Sequence, residues 1–262
     1  MFVRRKDRKM NQIVIKNHKI GNGRPLICVP VMESSKDEII KEIMCLANSC
    51  ADMIEWRVDA FSDFTNYNAV RDVLEAVAPH LSDKVFLYTF RTKKQGGLTE
   101  VSKEVLSELH NLAAESNCVD LIDLEYFEEK HPLSKIKELQ ESGAKVVASH
   151  HDFQATPEPE EMYMLLQRMY EGGADIVKLA VMPKSRKDVL NLLEATDLFL
   201  QEHPNTPIIT MSMGSLGSIS RLCGEHFGSC VTFGSHKMAS APGQFEMNRL
   251  REILDVIHTS SI

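Results

Sequence analysis

Two side chains stand out as chemically misplaced in this 262-residue sequence. Lys178 lies in the middle of the apolar run ADIVKLAVMP (174–183), and His151 ends another such run in ASHHDF (148–153). A lysine buried among apolar groups costs desolvation energy unless its amine is neutral or paired. Apolar surroundings and nearby arginines both lower the pKa of such an amine. The result is a nucleophile able to condense with a carbonyl to form an imine. The structural alternative is an interior ion pair, to Asp123 or Glu125. Histidine is the natural proton shuttle near neutral pH, so His151 on the neighbouring strand favours the chemical reading. Its neighbour His150 should point the opposite way and serve packing.

Around this pair the sequence offers Glu55, Arg57, Arg91 and Arg221. The planar guanidinium fork suits a carboxylate or phosphate, and its charge persists at any working pH. Glu55 has two roles open to it, orienting the histidine or accepting from a substrate hydroxyl. For Glu55 and Arg57 an interior ion-pair network competes with both. Arg221 follows the glycine-rich MSMGSLGSIS (211–220), near a helix N-terminus that favours anions. Met213 of that segment belongs to the inward face of its strand. ASAPGQ (239–244) adds Ser240 and Gln244, with Pro242 and Gly243 fixing a turn and Gln244 opening the last helix. Asp152 and Glu225 read as caps or structural pairs.

The elements that must carry these residues alternate. Eight β-rich runs, LICVPV (26–31), MIEWRV (53–58), VFLYTF (85–90), LIDLEYF (121–127), KVVASH (145–150), DIVKLAV (175–181), PIITMSM (207–213) and CVTFG (230–234), are separated by amphipathic helical stretches. That march in a chain of this length predicts an α/β fold, a single-domain (β/α)8 TIM barrel. An open doubly wound sheet should have a glycine-rich loop after its first strand, where this chain reads VPVMESSKDE. QIVIKNHKIGNGRP (12–25) predicts a hairpin turning near His18–Lys19 that closes the barrel floor. Residues 1–10 read as a disordered basic extension, with Met10 as an alternative start, and 11–262 as the catalytic barrel.

Alternation sorts the strands into faces. Ile54, Trp56 and Val58 oppose Met53, Glu55, Arg57 and Asp59; Phe86, Tyr88 and Phe90 oppose Leu87, Thr89 and Arg91. Val147, Ser149 and His151 share a face, and Ile176, Lys178 and Ala180 oppose Val177, Leu179 and Val181. The mixed faces should point inward, their polar members gathered at the C-terminal strand ends, where barrel active sites form.

Composition limits the partners. A formal net charge of -7 argues against nucleic acid or an acidic membrane surface as a partner. Six cysteines show neither a C-x-x-C pair nor zinc spacing, so no metal is expected and a reducing, cytoplasmic setting is. No stretch of eighteen apolar residues announces a membrane helix. An imine mechanism would need no cofactor.

Six motifs in order, EWRVD (55–59), TFRTKKQGG (89–97), SHHDF (149–153), ADIVKLAVMP (174–183), ITMSMGSLGSISR (209–221) and FGSHKMASAPGQ (233–244), resemble type I 3-dehydroquinate dehydratases. The likeness runs from about Asn11 to Ile257. It implies a hydro-lyase that converts 3-dehydroquinate to 3-dehydroshikimate, the third step of the shikimate pathway to chorismate and aromatic amino acids. By this resemblance Lys178 forms the Schiff base, and His151 takes the C2 proton and then protonates the departing hydroxyl, a net syn elimination. Arg221 binds the substrate carboxylate with help from Gln244, Met213 contacts the ring, and Glu55, Arg57, Arg91 and Ser240 line the pocket. A homodimer is implied as well. Gln95 departs from the pattern, because the family typically carries an acidic residue before the paired glycines, near the catalytic histidine. Glutamine keeps the hydrogen-bonding shape without the charge, so a protonated His151 would be less stabilised and turnover reduced. From the residues alone, a class I aldolase with the same lysine and a ligand-binding barrel without turnover remain open.

Overall fold

The computed structural model describes residues 13–21 and 23–260. The basic extension expected over residues 1–10 lies outside them. Eight parallel strands build the frame: β3 (Leu26–Val31), β4 (Met53–Arg57), β5 (Val85–Thr89), β6 (Leu121–Glu125), β7 (Lys145–Asp152), β8 (Ile176–Val181), β9 (Ile208–Ser212) and β10 (Val231–Ser235). They pair in the order β10-β3-β4-β5-β6-β7-β8-β9. The ring closes where the Cys230 amide donates to the Ile208 carbonyl at 2.8 Å, beside a bridge from Ile208 to Ser229. Each strand is followed by a helix: α1 (Lys36–Ala47), α2 (Tyr67–Val77), α3 (Lys103–Glu115), α4 (Pro132–Glu141), α5 (Pro159–Glu171), α6 (Arg186–Glu202), the one-turn α7 (Gly224–Phe227) and α8 (Met247–Ser260). This is the expected (β/α)8 TIM barrel.

Strands that are covered by helices outside and filled within read as nearly continuous apolar runs, and β4, β5, β6, β8 and β9 are buried at every position. The two faces divide as alternation requires. Ile54, Trp56, Tyr88, Phe90, Leu179 and Val181 pack outward with helix residues such as Ile43, Leu74, Leu109, Leu166 and Leu192. Met53, Leu87, Leu121, Val147 and Ile176 fill the barrel at its N-terminal end. That lower layer is an apolar cluster, and the buried charged residues Glu55, Arg57, Asp123, Glu125 and Lys178 lie further along the strands.

The floor is closed by a hairpin, β1 (Ile13–Ile15) and β2 (His18–Ile20), whose Ile15 and Ile20 join the interior cluster. Its turn is Lys16–Asn17, two residues before the expected His18–Lys19. The register, Ile13 opposite Ile20 and Ile15 opposite His18, places all three isoleucines on one face, which a later turn would break. Lys16 takes the positive φ of 52° and donates to the Leu81 and Lys84 carbonyls and to Asp120. A second correction concerns α8, which starts at Met247 and not at Gln244. Phe245–Glu246 form a short strand β11 beside β10, and the Glu246 carboxylate caps the helix by accepting from the Asn248 and Arg249 amides at 3.0 Å.

Candidate active site

The C-terminal ends of the strands surround a cavity of about 460 Å³ that opens to solvent. Lys178, in the middle of β8, enters it from one side and is 3% exposed. Its Nζ donates to Asp123 Oδ2 at 3.2 Å, lies 3.8 Å from Glu55 Oε1 and sits 4.6 Å from the centre of the Phe233 ring. Lysine therefore meets carboxylates as well as the expected apolar groups. The interior ion pair weighed from the sequence is formed with Asp123, while Glu125 serves Arg91 instead.

β7 runs two residues past its expected end, so His151 is still in the strand, opposite Ala180, and Ser149 is opposite Lys178. Both residues thus rise from adjacent strands into the same cavity. The His151 backbone N–H donates to Gln95 Oε1 at 2.9 Å, and the ring Nδ1 lies 3.2 Å from that same oxygen. The amide donor fixes the oxygen as an acceptor. The ring must then carry its proton on Nδ1, which leaves Nε2 as the free base. Burial, followed by the cationic Arg91, Lys178 and Arg57, holds the imidazole well below its usual pKa. His150 turns away and packs edge-on against Phe127 with centroids 5.2 Å apart.

Glu55 accepts from Thr89 Oγ1 at 2.9 Å and approaches Lys178; the group that touches the histidine is Gln95. Arg57 is held in a fork by Asp59, at 2.7 Å on both arms. Arg91 pairs with Asp123 at 2.8 Å and with Glu125 at 3.0 Å. Burial works against its charge, but Asp123, Glu125 and Glu55 more than offset this and raise its pKa. Asp123 also accepts from Ser149 at 2.6 Å, and despite its burial Arg91 and Lys178 lower its pKa to about 2.

Met213, Ser240 and Gln244 line the opposite side of the cavity. The Gln244 amide is engaged by Ser240, at 2.8 Å to its backbone N and 2.8 Å to its hydroxyl. Arg221 stands apart, behind the wall formed by Met211 and the loop after β10. Its Nη2 donates to the Pro242 carbonyl at 3.0 Å, its Nη1 faces Met211 Sδ at 3.8 Å, and its Nε has no partner. No carboxylate among the described residues pairs with it, and burial lowers its pKa to about 10. The helix N-terminus expected beside it is only the single turn α7. Asp152 caps the following turn through the Gln154 and Ala155 amides, and Glu225 meets His258.

One feature escaped the sequence reading: Asp59 was visible only as one more inward-facing acid of EWRVD. The nearness of Gln95 to His151 was expected from the family resemblance alone, because the contact needs a loop path that no spacing reveals. The paired glycines after Gln95 were the available signal. A Cβ on Gly96 would strike the Phe153 ring at 2.3 Å, and one on Gly97 would lie 1.8 Å from the Arg91 carbonyl, so this loop must close tightly.

A buried lysine, a histidine held by Gln95 and clustered arginines at the mouth of a parallel barrel give the layout of an α/β-barrel enzyme. Comparison with known proteins narrows the class. The type I 3-dehydroquinase family matches residues 27–261, and the chain belongs to that family of hydro-lyases. The 3-dehydroquinate dehydratase of Clostridioides difficile (strain 630) is 43% identical over 95% of this chain and 98% of its own. That of Listeria monocytogenes serotype 4a (strain HCC23) is 46% identical, covering 95% and 99%. The solved structure of the type I enzyme from Clostridium difficile, carrying covalently modified comenic acid, superposes with a TM-score of 0.91 over 95% of this chain and 99% of that one, at 43% identity.

Proposed function

We propose that this chain dehydrates 3-dehydroquinate to 3-dehydroshikimate through an imine on Lys178, the residue that carries the reading. Asp123 at 3.2 Å and Glu55 at 3.8 Å hold the Lys178 head group in place; once its ammonium has released a proton to solvent, the neutral Nζ attacks the ring ketone carbon. Loss of water from the carbinolamine gives an iminium, an electron sink that acidifies the neighbouring C2–H. His151 Nε2 takes that proton, and the electron pair moves into the enamine. The C1 hydroxyl then leaves as water with the proton returned by His151, and hydrolysis of the conjugated iminium frees the product and the amine.

Arg221 is the proposed carboxylate receptor, supported by its isolation from every acid among the described residues. Reaching a ligand in the cavity requires the Pro242 carbonyl to give way. Arg57, Arg91, Ser240, Gln244 and Met213 complete the binding walls, with Glu55 supporting the lysine.

Purified protein with 3-dehydroquinate should generate the ultraviolet-absorbing enone, and borohydride should trap an adduct on the peptide containing Lys178. An adduct without enone, or aldol cleavage of a phosphorylated sugar instead, would overturn the reading. No helix among the described residues is long and apolar enough to cross a membrane. A cytoplasmic homodimer is proposed on the family resemblance, and sedimentation at micromolar concentration tests the dimer.

A further inference from the structure

One buried carboxylate, not used in the steps above, joins two parts of this site. Asp59 lies just past β4 in the single turn Val58–Ala60, and its side chain has no exposed surface. Oδ1 accepts from Arg57 Nε at 2.7 Å and from the Arg91 amide at 3.2 Å. Oδ2 accepts from Arg57 Nη2 at 2.7 Å and from the Leu98 amide at 3.1 Å. The Asp59 carbonyl also accepts from Thr99 Oγ1 at 3.2 Å. The two amides and the hydroxyl bracket the loop between Arg91 and Thr99, which carries Gln95 at its centre.

We infer that Asp59 is a positioning residue that fixes at once the aim of Arg57 into the pocket and the loop that holds Gln95 against His151. With Nε and one Nη2 arm bound to the carboxylate, Arg57 has its Nη1 side free for the cavity, which it lines. At the other end, the loop folds back through Gly97 N to the Thr92 carbonyl at 2.9 Å and a Thr92–Thr99 bridge. Its path is therefore set by where its two ends are held, and Asp59 accepts from the backbone of both. Glu125 grips the Thr92 side through its amide at 2.9 Å and its hydroxyl at 2.6 Å, but it does not touch the pocket arginine Arg57. Four donors from three residues converge on one carboxylate, and an amide side chain cannot receive all of them.

The inference rests on the imine reading of the site for its kinetic consequences, and the test separates the two. In Asp59→Asn, one oxygen is replaced by a donor that opposes the N–H groups now aimed at it. KM should rise about tenfold as Arg57 loses its fork, a change of one decade in affinity. kcat should fall by about 10²-fold, the loss an ångström-scale misplacement of a catalytic group carries. Leu98→Pro deletes one donor from an exposed position and leaves Arg57 untouched, so it should lower kcat with KM unchanged. Arg57→Met combined with Asp59→Asn should show the KM of Arg57→Met alone, and Gln95→Ala combined with Leu98→Pro the kcat of Gln95→Ala alone. Borohydride trapping at Lys178 should persist in every variant.

Independently of turnover, trypsin should cut after the exposed Lys93 and Lys94 faster in Asp59→Asn and Leu98→Pro than in the parent. Failure of trapping in the parent protein would sink the imine reading and leave this loop readout standing. A lower Tm with kcat, KM and tryptic cleavage all unchanged would overturn the inference, as would effects in the double variants that simply multiply. If Asp59→Asn does not fold, Leu98→Pro decides alone: unchanged kcat and unchanged cleavage reject it.

Discussion

The two walls of the cavity handle charge in opposite ways. On the β4–β6 side, Glu55, Asp59, Asp123 and Glu125 face Arg57 and Arg91, and both guanidiniums find carboxylates at 3.0 Å or closer. On the β9–β10 side, Met211, Met213 and Phe233 line the cavity with apolar surface, and Arg221, behind Met211, finds only a carbonyl and a thioether. Arg91 and Arg221 are the same residue type at similar depth, 4% and 2% exposed, yet burial lowers the pKa of one while carboxylates raise that of the other. A satisfied guanidinium positions its neighbours. An unsatisfied one is a cost to the fold, and that contrast supports the proposal that Arg221 receives the substrate carboxylate while the carboxylates of the other wall hold Arg57 and Arg91 in place.

The largest effect should come where the two walls meet. Lys178→Ala removes the imine itself, so enone formation should fall by more than the roughly 10²–10⁴-fold that loss of a proton shuttle such as His151 costs. Residual turnover close to that of the parent would place the chemistry elsewhere. Next, Arg91→Met leaves Asp123 and Glu125 without their guanidinium partner and should cost about 3–5 kcal/mol in urea unfolding. Arg221→Met breaks no ion pair, so its unfolding midpoint should stay level or rise. Its KM should rise about 10–100-fold, the worth of charge-assisted hydrogen bonds to a carboxylate. Equal destabilisation by the two variants would erase the contrast between the walls.

How much of this was legible beforehand follows from which physics set each feature. Period-two alternation placed Glu55, Arg57, Arg91, Ser149 and Lys178 inside the barrel, because burial of one apolar face forces the other inward. Partner choice was less legible. Whether Lys178 meets Asp123 or Glu125 depends on the relative register of β6 and β8, which are not paired in the sheet. Arg221 looked like a pocket residue from its motif, but the backbone of the loop at Pro242 places it behind Met211. The hairpin turn was missed because Lys16 adopts a positive φ that its type does not advertise, and the start of α8 because a glutamate side chain caps it.

The smallest effect concerns Gln95, and it tests whether the acid-rich wall tunes the base as well as holding it. His151 must be neutral to accept the C2 proton, and its pKa lies below the ordinary histidine range. kcat/KM should therefore stay flat through neutral pH and fall only as pH drops below that range and the ring becomes protonated. Gln95→Glu keeps an acceptor for both the His151 amide and Nδ1 but adds a carboxylate, which favours the imidazolium. The acid limb should then move up by about one pH unit, and plateau turnover should rise by less than about tenfold. Borohydride trapping at Lys178 should be unchanged, since Gln95 has no hydrogen bond to the lysine. An acid limb that stays in place would mean that burial and the cations Arg91, Lys178 and Arg57 alone set the protonation of His151. In that case Gln95 would act only by fixing which ring nitrogen faces the substrate.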